Sequence, residues 1–112
     1  MCGIGFISGS FKTAEALAHM ARVLRHRGPD DNGIVMVAEP PAGMSHTRLS
    51  IIDLSEAGHQ PMTSMDGRYT ITFNGEIYNY IELRAELPDY PYQSRTDTEV
   101  ILAAYQRWGR AC

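Results

Sequence analysis

The apolar and polar residues of this chain recur with two periods, one typical of strands and one typical of helices. The predicted strands are Gly3–Ser8, a buried strand Ile34–Ala38, Met44–Asp53 and Tyr69–Asn74. The predicted helices are Thr13–Arg25, a short helix between Asn79 and Pro88, and a helix opened by Thr96 and ended by Gly109. The order β-α-β-β-β-α-α predicts an α+β domain with a largely antiparallel sheet.

A few residues mark where these elements begin and turn. Thr13 is placed to cap the first helix and Asn79 to cap the second. Thr96 and Glu99 have the spacing of a capping box at the start of the third helix. The pair Asp66-Gly67 is typical of a hairpin turn ahead of the last strand.

Length and charge narrow the class of protein. The 112 residues, 44% hydrophobic with a net charge of −3, suit one globular domain and form no basic stripe for nucleic acid or an anionic membrane. Because no apolar run approaches about 20 residues, we expect neither a membrane span nor a signal peptide, and a cytoplasmic location. The two cysteines, Cys2 and Cys112, lack a C-x-x-C spacing, which argues against structural zinc and a disulfide framework. We expect no metal site.

Cys2 is the first candidate for chemistry. If Met1 is removed, the thiol and the free α-amine belong to one residue, and the amine can serve as the base for its own side chain. With reference pKa values of about 8 for the amine and about 8.5 for the thiol, proton transfer between them costs on the order of 1 kcal/mol. The alternative is that Cys2 is an ordinary residue at the start of a strand.

Three further positions carry groups that could bind an amino acid. Arg48 offers a planar fork of donors for a carboxylate, or else forms an ordinary pair with Asp53. Asn74 and Gly75 could form an oxyanion hole where glycine permits unusual backbone geometry, or else a plain turn. Asp97 could bind an ammonium group, or else only cap its helix. A nucleophile, an oxyanion cradle and groups for both charges fit an amino acid with a side-chain amide, such as glutamine.

These residues lie in motifs that resemble the glutaminase domain of glutamine-hydrolysing asparagine synthetases, in the same order along almost the whole chain. The motifs are Cys2-Gly3-Ile4, Arg25-His26-Arg27-Gly28-Pro29-Asp30, Arg48-Leu49-Ser50-Ile51-Ile52-Asp53-Leu54-Ser55, Gly58-His59-Gln60-Pro61-Met62, Phe73-Asn74-Gly75-Glu76-Ile77-Tyr78-Asn79 and Asp97-Thr98-Glu99. More broadly, the chain is similar to class II glutamine amidotransferases, which are N-terminal-nucleophile hydrolases with a four-layer αββα sandwich.

The resemblance implies a role for each candidate. Cys2 would attack the glutamine amide to give a thioester and ammonia, while Asn74 and Gly75 hold the oxyanion. The implied substrate contacts are Arg48 for the carboxylate, the backbone of Leu49, Ser50, Ile51 and Ile52 along the pocket, and Glu76 and Asp97 for the amine. His26, His46 and His59 are left without a chemical step, and the glutaminase step needs no cofactor.

The resemblance also implies a larger protein. Such a glutaminase domain runs to roughly 200 residues, so we expect residues 1–112 to be its N-terminal part, with the sandwich incomplete and its uncovered sheet face a cause of poor stability or association. A synthetase domain on the same polypeptide would use ATP and magnesium to make asparagine from aspartate. A homodimer is left open, and activity of residues 1–112 alone is not implied.

Two other functions stay open. The chain could be an amidotransferase module that supplies another acceptor, such as a sugar or a secondary-metabolite acid. It could instead be an unprocessed, inactive domain with an interaction role, because the Cys2 nitrogen is an amide while Met1 is attached.

Overall fold

A computed structural model describes residues 1–9 and 13–112, which form an α+β domain as predicted. The strands are β1 (Gly3–Ser8), β2 (Asp31–Val37), β3 (Ala42–Arg48), β4 (Met62–Thr63) and β5 (Thr70–Ile71). The α-helices are α1 (Thr13–Leu24), α2 (Tyr80–Glu86) and α3 (Asp97–Trp108). Single turns of 3₁₀ helix cover Arg25–Arg27, Glu56–Gly58 and Gly109–Ala111.

The larger sheet has the order β1-β3-β2 and is antiparallel throughout, which confirms the predicted strand direction. Helix α1 packs on one of its faces, where Leu17 is completely buried. This close packing depends on glycine in the central strand, since a Cβ on Gly43 would lie 2.3 Å from Cδ1 of Leu17. The helix therefore lies almost on the backbone of β3, the strand that ends in Arg48.

Part of the opposite face of this sheet is open among the described residues, while the segments that carry Gln60 and Phe73 cover it around His46. Ile4 and Phe6 project from it and are 47% and 59% exposed. On the helix side, the prediction of a buried strand Ile34–Ala38 was wrong, because Ile34 and Met36 are 40% and 51% exposed. Strand β2 forms an edge of the sheet, and α1 covers it only in part.

Two predicted strands are shorter than their apolar patterns suggest. Strand β3 ends at Arg48 rather than at Asp53, and the Tyr69–Asn74 strand reduces to Thr70–Ile71, which pairs with β4. The predicted Asp66-Gly67 turn is confirmed, with Gly67 at a φ of 72°. The strands stop because side chains take over the backbone hydrogen bonds: Asp30 accepts from the N–H of Ser50 at 2.8 Å.

The helix ends agree with the sequence in part. The Thr96 hydroxyl accepts from the N–H of Glu99 at 3.3 Å, as a cap should, and Gly109 ends α3 with a φ of 60°. Asn79 is the N-cap residue of α2, as predicted, but its side chain makes no cap hydrogen bond. The Thr13 hydroxyl donates to the carbonyl oxygen of Gly9, whereas a cap would accept from a backbone N–H.

The second half of the chain has its own small core. Leu87, Ala103 and Ala104 form it between α2 and α3, and Tyr90 and Tyr92 pack against it. No helix within residues 1–9 and 13–112 is long and apolar enough to span a membrane.

Candidate active site

A cavity of about 300 Å³ lies where the start of β1, the end of β3, the segment after β5 and the start of α3 meet. Its lining includes nine of the ten residues predicted for the site. They are Cys2, Arg48, Leu49, Ile51, Ile52, Asn74, Gly75, Glu76 and Asp97. The tenth, Ser50, lines a neighbouring cavity instead, while its N–H is bound to the Asp30 carboxylate. The volume is at the lower end of the roughly 300–1,000 Å³ of small-molecule sites, which suits a ligand of amino-acid size.

Cys2 sits directly before β1 and is partly buried. Its Sγ accepts a hydrogen bond from the N–H of Leu49 at 3.3 Å, and the carbonyl oxygen of Leu49 is 3.8 Å away. The Arg27 Nε donates to the carbonyl oxygen of Cys2 at 3.1 Å, which fixes the backbone of this residue. The contacts with Leu49 and Arg27 fix Cys2 at the edge of the cavity.

Arg48 is only 6% exposed, yet it has no carboxylate partner in the described residues. Its guanidinium donates to the backbone carbonyl oxygens of Ser55, at 2.8 Å, and Asp53. The predicted alternative, an ordinary ion pair with the Asp53 side chain, was therefore wrong. Because these bonds use two of the five N–H donors of an arginine, the remaining donors are available for a ligand in the cavity.

The loop that holds Arg48 is ordered by the Asp53 carboxylate. This group accepts from the hydroxyl and the N–H of Ser55 and from the N–H of Arg95, and these bonds lower the pKa of Asp53 to about 2. The loop then turns back at Gly58, where a Cβ would lie 2.0 Å from Nη2 of Arg48. Glycine at this position thus makes room for the guanidinium.

The acidic side of the cavity is formed by Asp97 and Glu76. Asp97 is 7% exposed at the start of α3, and its Oδ2 accepts from the N–H of Ile77 at 2.9 Å. Glu76 is exposed in the segment that this bond ties to α3. The Asp53 carboxylate also borders the cavity but is bound to Ser55 and Arg95. The cavity thus presents the Arg48 cation and the carboxylates of Asp97 and Glu76, a charge pattern that complements a zwitterionic amino acid.

Asn74 and Gly75 lie beyond the end of β5, in a stretch without regular structure. Gly75 does not share the positive φ of Gly9, Gly67 and Gly109, so the predicted unusual backbone geometry was wrong. Glycine is needed at position 75 for a steric reason instead, since a Cβ there would lie 2.6 Å from Cζ of the Phe73 ring.

The three histidines that could compete as a base all lie outside this cavity. The Nδ1 of His26 is 3.0 Å from the carbonyl oxygen of Val23, and the Nδ1 of His59 is 2.7 Å from Oδ2 of Asp31. His46 is buried in β3, and that burial holds its pKa below the ordinary value, with the Arg48 cation adding to the effect. Within the described chain, Cys2 therefore has no histidine beside it in the cavity.

Sequence reasoning assigned neither a substrate contact nor a chemical step to several residues that also line the cavity. They are Met1, Asp53, Gly58, Gln60, Phe73, Tyr78, Thr96 and Thr98. Gln60 is notable because it is polar and only 6% exposed. Its position inside the Gly58-His59-Gln60-Pro61-Met62 motif was the available signal, but a pattern of residue types does not reveal what a buried amide binds.

The cavity combines a thiol, which can act as a nucleophile, with backbone donors and groups of both charges, which can bind an amino acid. A family model described as a glutamine amidotransferase domain matches residues 1–112. The chain belongs to this family.

The chain is also similar to several proteins named asparagine synthetase [glutamine-hydrolyzing]. It is 40% identical to the one from Asparagus officinalis over 97% of the chain, and 38% identical to the one from Zea mays, also over 97% of the chain. Each match covers 19% of the relative. It is 47% identical to asparagine synthetase B from Escherichia coli over 80% of the chain and 16% of that protein. The chain spans 15–25% of the length of the curated relatives it matches.

Proposed function

We propose that this chain is the glutamine-hydrolysing part of an asparagine synthetase and that it releases ammonia through a thioester on Cys2. The observation that carries the proposal is the common cavity of Cys2, Arg48 and Asp97. A thiol that shares a small cavity with a buried cation and a buried carboxylate is suited to cleave the side chain of a bound amino acid.

In the proposed reaction, removal of Met1 frees the amine of Cys2, which takes the proton of its own thiol. The sulfur attacks the side-chain carbonyl carbon of glutamine, and the negative charge moves to the carbonyl oxygen. When the tetrahedral adduct collapses, the C–N bond breaks, the ammonium of Cys2 returns its proton to the leaving nitrogen, and ammonia departs. Water, deprotonated by the same amine, then attacks the thioester carbon, so that the thiolate leaves and glutamate forms.

The other residues of the site are proposed to bind glutamine and to stabilise the oxyanion. The Asn74 side-chain amide and the Gly75 N–H donate to the oxyanion, a contact whose loss typically costs about 10²–10³ in kcat. Arg48 binds the α-carboxylate, and Asp97 and Glu76 bind the α-ammonium group. The backbone from Leu49 to Ile52 lines the pocket, although the contact of Ser50 with Asp30 directs that residue to the neighbouring cavity.

The whole protein is proposed to use the ammonia in a synthetase domain on the same polypeptide, with ATP and magnesium bound there to make asparagine from aspartate. The names of the relatives and the small share of their length support this arrangement. We further propose that residues 1–112 are part of an αββα sandwich. The exposed Ile4 and Phe6 support a second sheet over the open face.

The test is a glutaminase assay on the full-length protein after intact mass has verified the loss of Met1. Cys2→Ala should abolish release of glutamate, whereas Cys112→Ala, which removes the other cysteine of residues 1–112, should leave it unchanged. Arg48→Ala should raise the KM for glutamine far more than it lowers kcat.

Each outcome separates the proposed function from its alternatives. A Cys2→Ala protein that hydrolyses glutamine normally would exclude the thioester. A mature protein that retains Met1 and releases no glutamate would favour the interaction role. Ammonia release that is stimulated by an acceptor other than aspartate would identify a different amidotransferase.

A further inference from the structure

The segment that carries Asn74 and Gly75 is not held by a sheet. Strand β5 ends at Ile71 and α2 begins at Tyr80, so no ladder fixes the backbone between them. An oxyanion hole requires donors fixed to within a fraction of an ångström before the substrate binds. Another part of the structure must therefore set the geometry of this segment.

The segment is held through the two peptide groups of Phe73, which are bound by the side chains of Gln60 and His46. The N–H of Phe73 donates to Oε1 of Gln60 at 2.7 Å, and the carbonyl oxygen of Phe73 accepts from Nε2 of His46 at 3.2 Å. Both side chains are buried, with exposures of 6% for Gln60 and 1% for His46. The N–H and the carbonyl oxygen of Phe73, the residue immediately before Asn74, are thus both hydrogen-bonded to side chains shielded from water.

Each side chain is itself anchored. His46 belongs to the central strand β3, and because its Nε2 donates, its buried Nδ1 carries a lone pair without a partner in the described residues. The Nε2 of Gln60 donates to the hydroxyl of Thr98 at 3.1 Å, in the first turn of α3 next to Asp97. The hydrogen bonds of Phe73 therefore connect strand β3, through His46, to helix α3, through Gln60 and Thr98. Helix α3 also carries Asp97, the proposed partner of the substrate amine.

We infer that Gln60 and His46 are positioning residues that hold the Phe73 peptide and thereby set the oxyanion donors of Asn74 and Gly75. This inference rests on the proposed glutaminase function. The ring of Phe73 extends the effect, since it packs where a side chain on residue 75 would lie. Neither positioning residue is required to touch the glutamine.

The sharpest test compares His46→Gln with His46→Asn in the full-length protein. A glutamine amide nitrogen reaches the position of the histidine Nε2 and keeps the donor, whereas the shorter asparagine amide reaches only the position of Nδ1. We expect His46→Asn and Gln60→Met to lower kcat by roughly 10- to 100-fold, below the loss of a whole oxyanion donor. The KM for glutamine should change less than about threefold, and His46→Gln should retain most of kcat.

Hydrogen exchange gives a readout that does not depend on turnover. The Phe73 amide should exchange at least about tenfold faster in Gln60→Met, and peptides covering residues 72–75 should exchange faster in His46→Asn. His59→Gln is the matched control, because His59 neighbours Gln60 but binds Asp31 outside the cavity. It should leave both kcat and exchange unchanged.

The outcomes separate the two proposals. If His46→Asn matches the wild type in kcat and exchange, or if KM rather than kcat changes, the positioning role is wrong. If the wild type releases no glutamate, the glutaminase proposal fails, and exchange alone decides whether the two side chains hold Phe73. Should Gln60→Met not fold, the His46 pair still decides.

Discussion

A methyl group added to Gly58 tests how Arg48 is held. The Cβ of alanine at this position would lie 2.0 Å from Nη2 of Arg48. Non-bonded heavy atoms need about 3.5 Å, so the guanidinium would have to move by about 1.5 Å. That displacement weakens its hydrogen bonds to the carbonyl oxygens of Asp53 and Ser55 and misplaces it for the proposed glutamine carboxylate.

The effect of Gly58→Ala should be larger on binding than on stability. A charge-assisted hydrogen bond contributes about 1.5–3 kcal/mol, so misplacing the one to the substrate should raise the KM for glutamine about 10- to 100-fold. Stability should fall by no more than about 2 kcal/mol, because the end of an arginine is flexible and alanine lowers the entropy of the unfolded chain.

Steady-state glutaminase kinetics and denaturant unfolding of the full-length protein measure the two effects. The control is Ala57→Ser, which also adds one heavy atom, to an exposed neighbour in the same helical turn. An unchanged KM in Gly58→Ala, with normal stability, would refute the idea that the position of the guanidinium determines glutamine binding.

Three further changes test the fold and its pH response. Leu17→Ala should cost about 2–5 kcal/mol in denaturant unfolding, because the side chain is completely buried between α1 and the sheet; a loss below about 1 kcal/mol would contradict this packing. His46 has a lowered pKa in the folded state, so the unfolded chain binds more protons and stability should fall as the pH drops below about 6.5. His46→Gln should flatten that part of the stability profile, and an equally steep profile would argue against a neutral buried imidazole. Phe6→Ser should destabilise the full-length protein if a second sheet covers the open face, whereas the isolated residues 1–112 should only become less prone to associate, as light scattering would detect.

Much of the fold follows from local chemistry. The first strand, the Asp66-Gly67 turn, the Thr96 cap and the Gly109 stop were all predicted, because each depends on residues close in sequence. The ends of β3 and β5 were not, because distant side chains take over their backbone hydrogen bonds. Asp30 does so for Ser50 from 20 residues away. Alternation alone gives no sign of such a competitor.

The candidate site shows the same division between what residue type predicts and what only placement reveals. An arginine in a strand pattern indicates a buried cation, but the sequence could not tell that Arg48 would bind backbone carbonyl oxygens and leave donors free. The sequence predicts Asn74 and Gly75 as oxyanion donors, yet the side chains that bind the peptide groups next to them belong to His46 and Gln60, 27 and 13 residues from Phe73 along the chain. Since a catalytic site needs geometry more exact than a segment without regular structure supplies by itself, the residues that position the chemistry are as necessary as those that perform it. They carry no chemical signature of their own, and only their buried contacts identify them.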